Sequence, residues 1–325
     1  MDSKPQLAPE AAEATLRRLE WTVLRRLDGA LQGDYRTLFR GAGLDLADLR
    51  EYQHYDEVRH IDWNVTARLG TPYVREYHED RELSAWFLLD LSPSVDFGSQ
   101  RVRKLSVAAD FTALLARLLT RRGNRVGALL FDAKLLAVMP PLGGRRQVLH
   151  LLDRIAKHQS TDATGSVGSI TKLQELLQAA QRLIKRRSLL FLVSDFISQP
   201  GWEASLSRLA LRHDVVAVKL HDPMELALPD LGMVWLQDAE TGEQLLVDTH
   251  DRRLRRRFEA LAGKRQDELR AALGHAGVDA LELSTDDDLL SATLRFAELR
   301  RQRSRLATGG GLPLHLAPQR KEGRS

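Results

Sequence analysis

Four apolar runs, at residues 84–91, 125–131, 188–193 and 215–220, constrain this chain more than any other feature. Each has the length of one strand and is apolar at consecutive positions, the pattern of a strand buried on both faces. Segments with apolar residues at helical spacing separate them, at about 102–121, 145–157, 170–186 and 202–211. Strands alternating with helices pair in parallel through right-handed crossovers. Residues 134–138 follow the second run across a short turn, and the spacing predicts an antiparallel edge strand there. Residues 233–237 and 244–247 flank Asp238-Ala239-Glu240-Thr241-Gly242-Glu243 as a hairpin. A long helix from about Arg252, a short strand at 280–283 and a helix over about 287–303 complete the pattern. The expected fold class is α/β, a mostly parallel sheet flanked by helices, over residues 81–303, with the hairpin near 232–248 as an insertion.

Residues 1–80 read differently. Pro9 is placed to open a helix, and Leu16, Leu19, Val23, Leu24, Leu27 and Leu31 recur at three- and four-residue steps. This N-terminal segment is expected to pack on the α/β domain beside the hairpin. Residues 33–81 are dense in charge and aromatic side chains and predict irregular structure with short strands, the clearest at 72–77. Trp63 is expected to anchor a core. His54, Asp56, Glu57, His60, Asp62, His78, Glu79 and Asp80 lack a metal-ligand spacing such as His-Glu-x-x-His. Arg50, Arg59, Arg68, Arg75 and Arg81 interleave with them, which favours an ion-pair network. Gly309-Gly310-Gly311, Pro313 and Pro318 mark residues 304–325 as a flexible tail.

Composition narrows the chemistry. None of the 325 residues is cysteine, which removes disulfides, thiolate zinc sites, iron–sulfur clusters and thiol catalysis. A net charge of +4 is a weak field for a chain of this length. Arg252, Arg253, Arg255, Arg256, Arg257, Lys264 and Arg265 form a basic helix face, but Asp251, Glu259, Asp267 and Glu268 interrupt it. A solvated face is expected, and no nucleic-acid partner. No apolar run approaches the ~18–20 residues of a membrane span, and the N-terminus lacks an apolar signal core, so the expected location is cytoplasmic.

The first apolar run ends Leu88-Leu89-Asp90-Leu91-Ser92-Pro93-Ser94. In an open parallel sheet, ligands bind beyond the carboxyl ends of the strands. An aspartate there, with hydroxyls two and four residues on, offers converging oxygens to a small hard cation such as Mg²⁺. The third run also ends in an aspartate, Asp195, and Thr161-Asp162-Ala163-Thr164-Gly165-Ser166 between them can bring a third hydroxyl. The alternative, which the spacing favours less, is that the same residues simply cap helices and turns.

These residues resemble the metal-ion-dependent adhesion site of von Willebrand factor A domains. More specifically, the chain resembles the bacterial domain-of-unknown-function family fifty-eight, whose members carry such a domain and are commonly encoded beside MoxR-type AAA+ ATPases. Three stretches carry the resemblance: Asp48–Tyr52 with Asp56-Glu57-Val58-Arg59-His60-Ile61-Asp62-Trp63-Asn64-Val65-Thr66-Ala67-Arg68; the metal-site loop with Phe97-Gly98-Ser99; and Asp222-Pro223, Glu225, Leu228-Pro229-Asp230 and Asp238 to Gly242. Tyr55 departs from the family's usual glycine, and Thr164 stands outside the usual Gly-Thr context.

The resemblance implies a von Willebrand factor A-like fold and a site for Mg²⁺, or Mn²⁺ or Ca²⁺. Ser92, Ser94 and Thr164 (or Ser166) would touch the ion, and Asp90 and Asp195 would supply charge. One coordination position would await an acidic side chain from a partner. The expected function is metal-dependent protein–protein interaction, with a MoxR-type AAA+ ATPase, in chaperone-like assembly or maturation of a client complex. No enzyme activity is expected. The rival is a metal-dependent hydrolase or phosphotransferase with Asp90 or Asp195 as catalytic carboxylate, and a third reading is a structural adaptor with a vestigial metal loop. The sequence shows no Walker loop, no Gly-x-Ser-x-Gly elbow and no evident histidine base for Ser92 or Ser94.

Overall fold

Beyond Ser84, every residue of strand β3 (Ser84–Asp90) is buried, and side-chain alternation divides them between two helix layers. The computed structural model describes residues 8–19, 49–53, 58, 61–75, 84–100, 102–161, 171–237 and 242–307. In it β3 lies inside a six-stranded sheet with β4 (Arg125–Phe131), β5 (Leu135–Leu142), β6 (Leu189–Ser194), β7 (Asp214–His221) and β10 (Asp279–Ser284). The order is β10-β7-β6-β3-β4-β5, parallel throughout except for β5. This is the α/β, mostly parallel arrangement expected, including the antiparallel edge strand.

Ala85, Phe87 and Leu89 face a core shared with α3 (Lys104–Arg121), α4 (Gly144–Thr161) and α8 (Leu289–Ala307). Trp86 and Leu88 face a second core built with α5 (Leu173–Leu183), α6 (Glu203–Ala210) and α7 (Arg252–His275). Phe87 stacks on Phe191 at 5.1 Å between ring centroids, and Phe111 meets Phe191 edge-on at 6.1 Å. Each fully buried side chain of this size contributes about 1.5–3 kcal/mol. Arg300, on α8, forks between Asp214 and Asp279 and so ties that helix to the starts of β7 and β10. The helix continues to Ala307, past the end expected at Arg303.

Strand β5 carries Pro140 and Pro141, and its register with β4 shifts between Val126 and Ala128. Gln147 fills the gap by donating from Nε2 to the carbonyls of Val126 (3.0 Å) and Pro140 (3.1 Å). Gly127 lies in the same irregularity. A Cβ there would stand 2.8 Å from the Met139 carbonyl oxygen and 2.9 Å from Cε3 of Trp86, so the two strands approach this closely only over a glycine.

Helix α1 (Ala8–Leu19) buries Ala12, Leu16 and Leu19 against α3 and α4, with Glu13 paired to Arg145 at 2.7 Å and Arg18 to Asp110. It therefore lies on the sheet face opposite α7, and β8 (Met233–Gln237) pairs antiparallel with β9 (Gln244–Asp248) as the expected hairpin strands. The expected continuation of this helix to Leu31 lies outside the described residues. Strand β1 (Leu49–Glu51) pairs antiparallel with β2 (Tyr73–Arg75). Between them Asp62 caps α2 (Trp63–Leu69), accepting from the N–H groups of Asn64 and Val65. Trp63 is 66% exposed, which corrects its expected role as a core anchor: it opens a helix of 7 residues that buries no side chain of its own.

Two glycine substitutions separate close approach from helix propensity. Gly127→Ala is expected to lower unfolding free energy by about 1–3 kcal/mol in urea titration, because backbone atoms must yield. Gly263→Ala, in the exposed interior of α7 with nothing within 4 Å of the new methyl, is expected to raise it by about 1 kcal/mol.

Candidate functional site

From β3 the chain passes to β4 on one side, and from β6 it passes to β7 on the other, although β3 and β6 are neighbours. The chain thus leaves their carboxyl ends in opposite directions, at the place where open α/β sheets bind ligands. Asp90 ends β3 and Asp195 follows the last residue of β6. Both are buried, as are Ser92 and Ser94 in the turn after β3, where Pro93 starts a short 3-10 helix (Pro93–Asp96).

The carboxyl of Asp90 accepts the Ser92 N–H at 3.1 Å and the Ser194 hydroxyl at 2.6 Å. Ser92 Oγ and Ser94 Oγ stand 3.2 Å apart. Across the crevice Asp195 accepts the Ile197 N–H at 3.0 Å, while Ser194 Oγ accepts the Phe196 N–H at 2.9 Å. These bonds hold Phe196 at φ +59°, the one positive φ among described non-glycine residues, a conformation costing about 1–3 kcal/mol. Its ring packs on Trp202, with centroids 5.5 Å apart.

Charge is distributed unevenly. Lys104, with 0% exposure at the first position of α3, donates to Asp195 Oδ2 at 2.8 Å and also to Glu225. Burial pulls its ammonium down, but the two carboxylates outweigh this and hold it above the usual lysine range. Glu225 accepts the Asp222 N–H at 2.9 Å. Asp222 in turn accepts from Ser99 (N–H 2.9 Å, hydroxyl 2.6 Å), the Met224 N–H and the Thr285 hydroxyl. Burial pushes Asp222 up, yet these four donors hold it below the usual carboxylate range. Asp90 has no cationic partner among the described residues. Burial, and then the neighbouring charge of Asp195, push it up to about 7.

The structure thus brings together Asp90, Ser92, Ser94 and Asp195. Thr164 and Ser166 lie outside the described residues, as do most members of the histidine–carboxylate set at 54–80. Asp62 of that set is a helix cap. Sequence reasoning missed Ser194, Lys104 and His158, whose Nε2 lies 3.0 Å from the Leu91 carbonyl oxygen at the crevice wall. It quoted Ser99, Asp222 and Glu225 without assigning them a role.

The donor set fits a magnesium-like ion. Two oxygens on adjacent corners of an octahedron with 2.0–2.1 Å bonds are about 3 Å apart, close to the serine hydroxyl separation. One carboxylate with hydroxyls suits an ion that keeps several waters. Among the described residues no group of three or more histidine, aspartate or glutamate side chains forms an alternative cage.

The family model described as "Protein of unknown function DUF58" matches residues 48–268. The chain belongs to the DUF58 family. An uncharacterized protein of Mycobacterium tuberculosis, Rv1480, is 36% identical over 291 residues, covering 89% of this chain and 90% of that protein. An uncharacterized protein of Mycobacterium avium, MAV169, is 34% identical over 164 residues, covering 50% of this chain and 94% of its own length. Among solved structures, an aerotolerance-related membrane protein from Bacteroides fragilis has a TM-score of 0.46 at 14% identity, covering 68% of this chain and 99% of that one. BatB from Bacteroides thetaiotaomicron has a TM-score of 0.40 at 15% identity, covering 70% of this chain and 99% of that one. In this DUF58 chain no helix among the described residues is long and apolar enough to cross a membrane.

The raised Asp90 makes a pH prediction for the protein in chelator. Near pH 3 the folded and unfolded chains both hold this proton. As pH rises from about 4 to about 7 the unfolded chain releases it while the folded protein keeps it, so Asp90 withdraws stability over that window and no further above it. Asp90→Asn should therefore gain stability relative to wild type as pH rises from 4 to 7, by at most about 1.4 kcal/mol per pH unit. Parallel denaturation curves with no relative gain would show that Asp90 is ionised throughout.

Proposed function

We propose that this DUF58 chain is a protein-interaction module that captures an acidic side chain of a partner through a bound Mg²⁺ or Mn²⁺, and that it is not an enzyme. The observation that carries this reading is the buried Asp90–Ser92–Ser94 oxygen set at the strand-end crevice, whose carboxyl has no cation beside it among the described residues. Ser92 and Ser94 would offer hydroxyl oxygens, Thr164 or Ser166 a third, and Asp90 the charge; Asp195 faces them across the crevice. The ion, when bound, supplies a Lewis-acidic position for a partner carboxylate. Ser194 and the Ser92 N–H fix the orientation of Asp90, and His158 and the Leu91 backbone hold the loop that carries the serines. Hydrolysis would require a base poised over a substrate, and the oxygen set here consists of a carboxyl and hydroxyls.

The partner implied by the family resemblance is a MoxR-type AAA+ ATPase, with the pair acting in chaperone-like assembly or maturation of a client complex. Carboxylate capture through a metal suits such work, because the bond is strong enough to hold a client yet reverses without covalent chemistry.

Metal binding is tested by thermal unfolding. Mg²⁺ at one hundred times its dissociation constant should stabilise the wild type by about 2.7 kcal/mol and leave Asp90→Ala unchanged. An equal shift in both proteins would place the ion elsewhere.

Partner binding is tested separately with a purified MoxR-type ATPase from the same source. Association is expected in Mg²⁺, and not in chelator or with Asp90→Ala. Binding that ignores both chelator and the substitution would remove the metal bridge from the proposal.

A further inference from the structure

We propose that Lys104 is the fixed counter-ion of Asp195 and withdraws that carboxylate from the metal, leaving Asp90 as the single carboxylate that serves the cation. The inference rests on the metal-binding reading above and divides its two aspartates into different roles.

Three observations point the same way. Lys104 is placed where a positive charge is doubly costly: it is fully buried, and it occupies the first position of α3, where the helix dipole repels cations. Only anions held close can keep it there, and Asp195 Oδ2 at 2.8 Å is one of them. Nor can the ammonium swing away. Glu225 grips it from the turn after β7, and the Phe97 ring lies 5.8 Å from Nζ. Glu225 is itself anchored by the Asp222 N–H, and Asp222 by Ser99, Met224 and Thr285. Finally, the two aspartates differ in what surrounds them. Both Asp195 oxygens are engaged, one by this ammonium and one by the Ile197 N–H. Among the described residues Asp90 receives only neutral donors, Ser92 and Ser194, so it is the carboxyl left for an added cation.

Lys104 is thus a positioning residue that limits the negative charge offered to the ion. An ion facing one available carboxylate retains more attraction for a partner's carboxylate than an ion already neutralised by two. Weak resident binding and strong partner capture would then be consequences of the same buried lysine.

Mn²⁺ titration by calorimetry, with electron paramagnetic resonance of free Mn²⁺ as a second readout, tests this on the full chain. Lys104→Met is expected to tighten Mn²⁺ binding at least tenfold, because Asp195 becomes available; structural damage would weaken binding. Lys104→Met/Asp195→Asn removes the pair together and is expected to bind within about threefold of wild type. A tenfold or greater loss in the double variant would make Asp195 a working part of the metal site and overturn the proposal. The double variant decides the matter if the single one does not fold, since it leaves no stranded charge at Asp195. Binding by Lys104→Met but not by wild type supports the proposal in its strongest form. Absence of binding in both overturns the metal reading as well, whereas wild-type binding with a failed double variant overturns this inference alone.

Discussion

A buried ammonium with two carboxylates around it organises the carboxyl end of this sheet. Lys104 comes from the start of α3, Asp195 from the end of β6 and Glu225 from the turn after β7. Through Glu225 and Asp222 the same network reaches Ser99 beyond β3 and Thr285 beyond β10. Loops from four parallel strands are therefore fixed to one another by charge-assisted hydrogen bonds in a low-dielectric setting. Losing one partner of such a buried pair typically costs about 3–5 kcal/mol, comparable with a large share of a domain's whole stability. The interaction thus makes the strand-end surface a rigid one. Among the described residues no cation stands beside Asp90 on the other side of the crevice.

That asymmetry follows from topology. The sheet turns its connections in opposite directions from β3 and β6, so two neighbouring strand ends send their loops apart. The polar side chains placed there are buried and must find their partners within the crevice. Asp195 is answered from within the protein, whereas Asp90 meets only hydroxyl and amide donors. The same pair of residue types at equivalent strand ends therefore carries different chemistry.

Much of this architecture was legible in the sequence because strands buried on both faces leave an unbroken apolar run, and β3, β4, β6 and β7 all do. Asp90 and Asp195 were legible because a polar residue that terminates such a run must lie at a strand end. Ser92 and Ser94 follow Asp90 closely enough for the turn to be read locally. Lys104 was not legible: its partners are 91 and 121 residues away, and nothing around a lysine at a helix start announces burial. The Ser99–Asp222 contact spans 123 residues and is equally silent locally. The side of the sheet against which α1 packs, and the exposure of Trp63, depend on which surfaces meet in three dimensions; an amphipathic stripe or an aromatic ring does not specify its counterpart. Thr164, which the sequence favours over Ser166 for the third hydroxyl, lies with it outside the described residues.

The paired prolines of β5 bear on how such a protein can assemble. Successive residues of a strand point their N–H groups to opposite sides, so Pro140 and Pro141 remove a donor from the open margin of the sheet as well as from the interrupted ladder. A foreign strand laid along that margin would find a gap in its hydrogen-bond partners, and growth of the sheet by strand addition is discouraged there. A protein that carries exposed Leu136, Val138 and Leu142 on the same strand needs that protection. Copies of the chain at high local density can then crowd together without fusing into a continuous sheet.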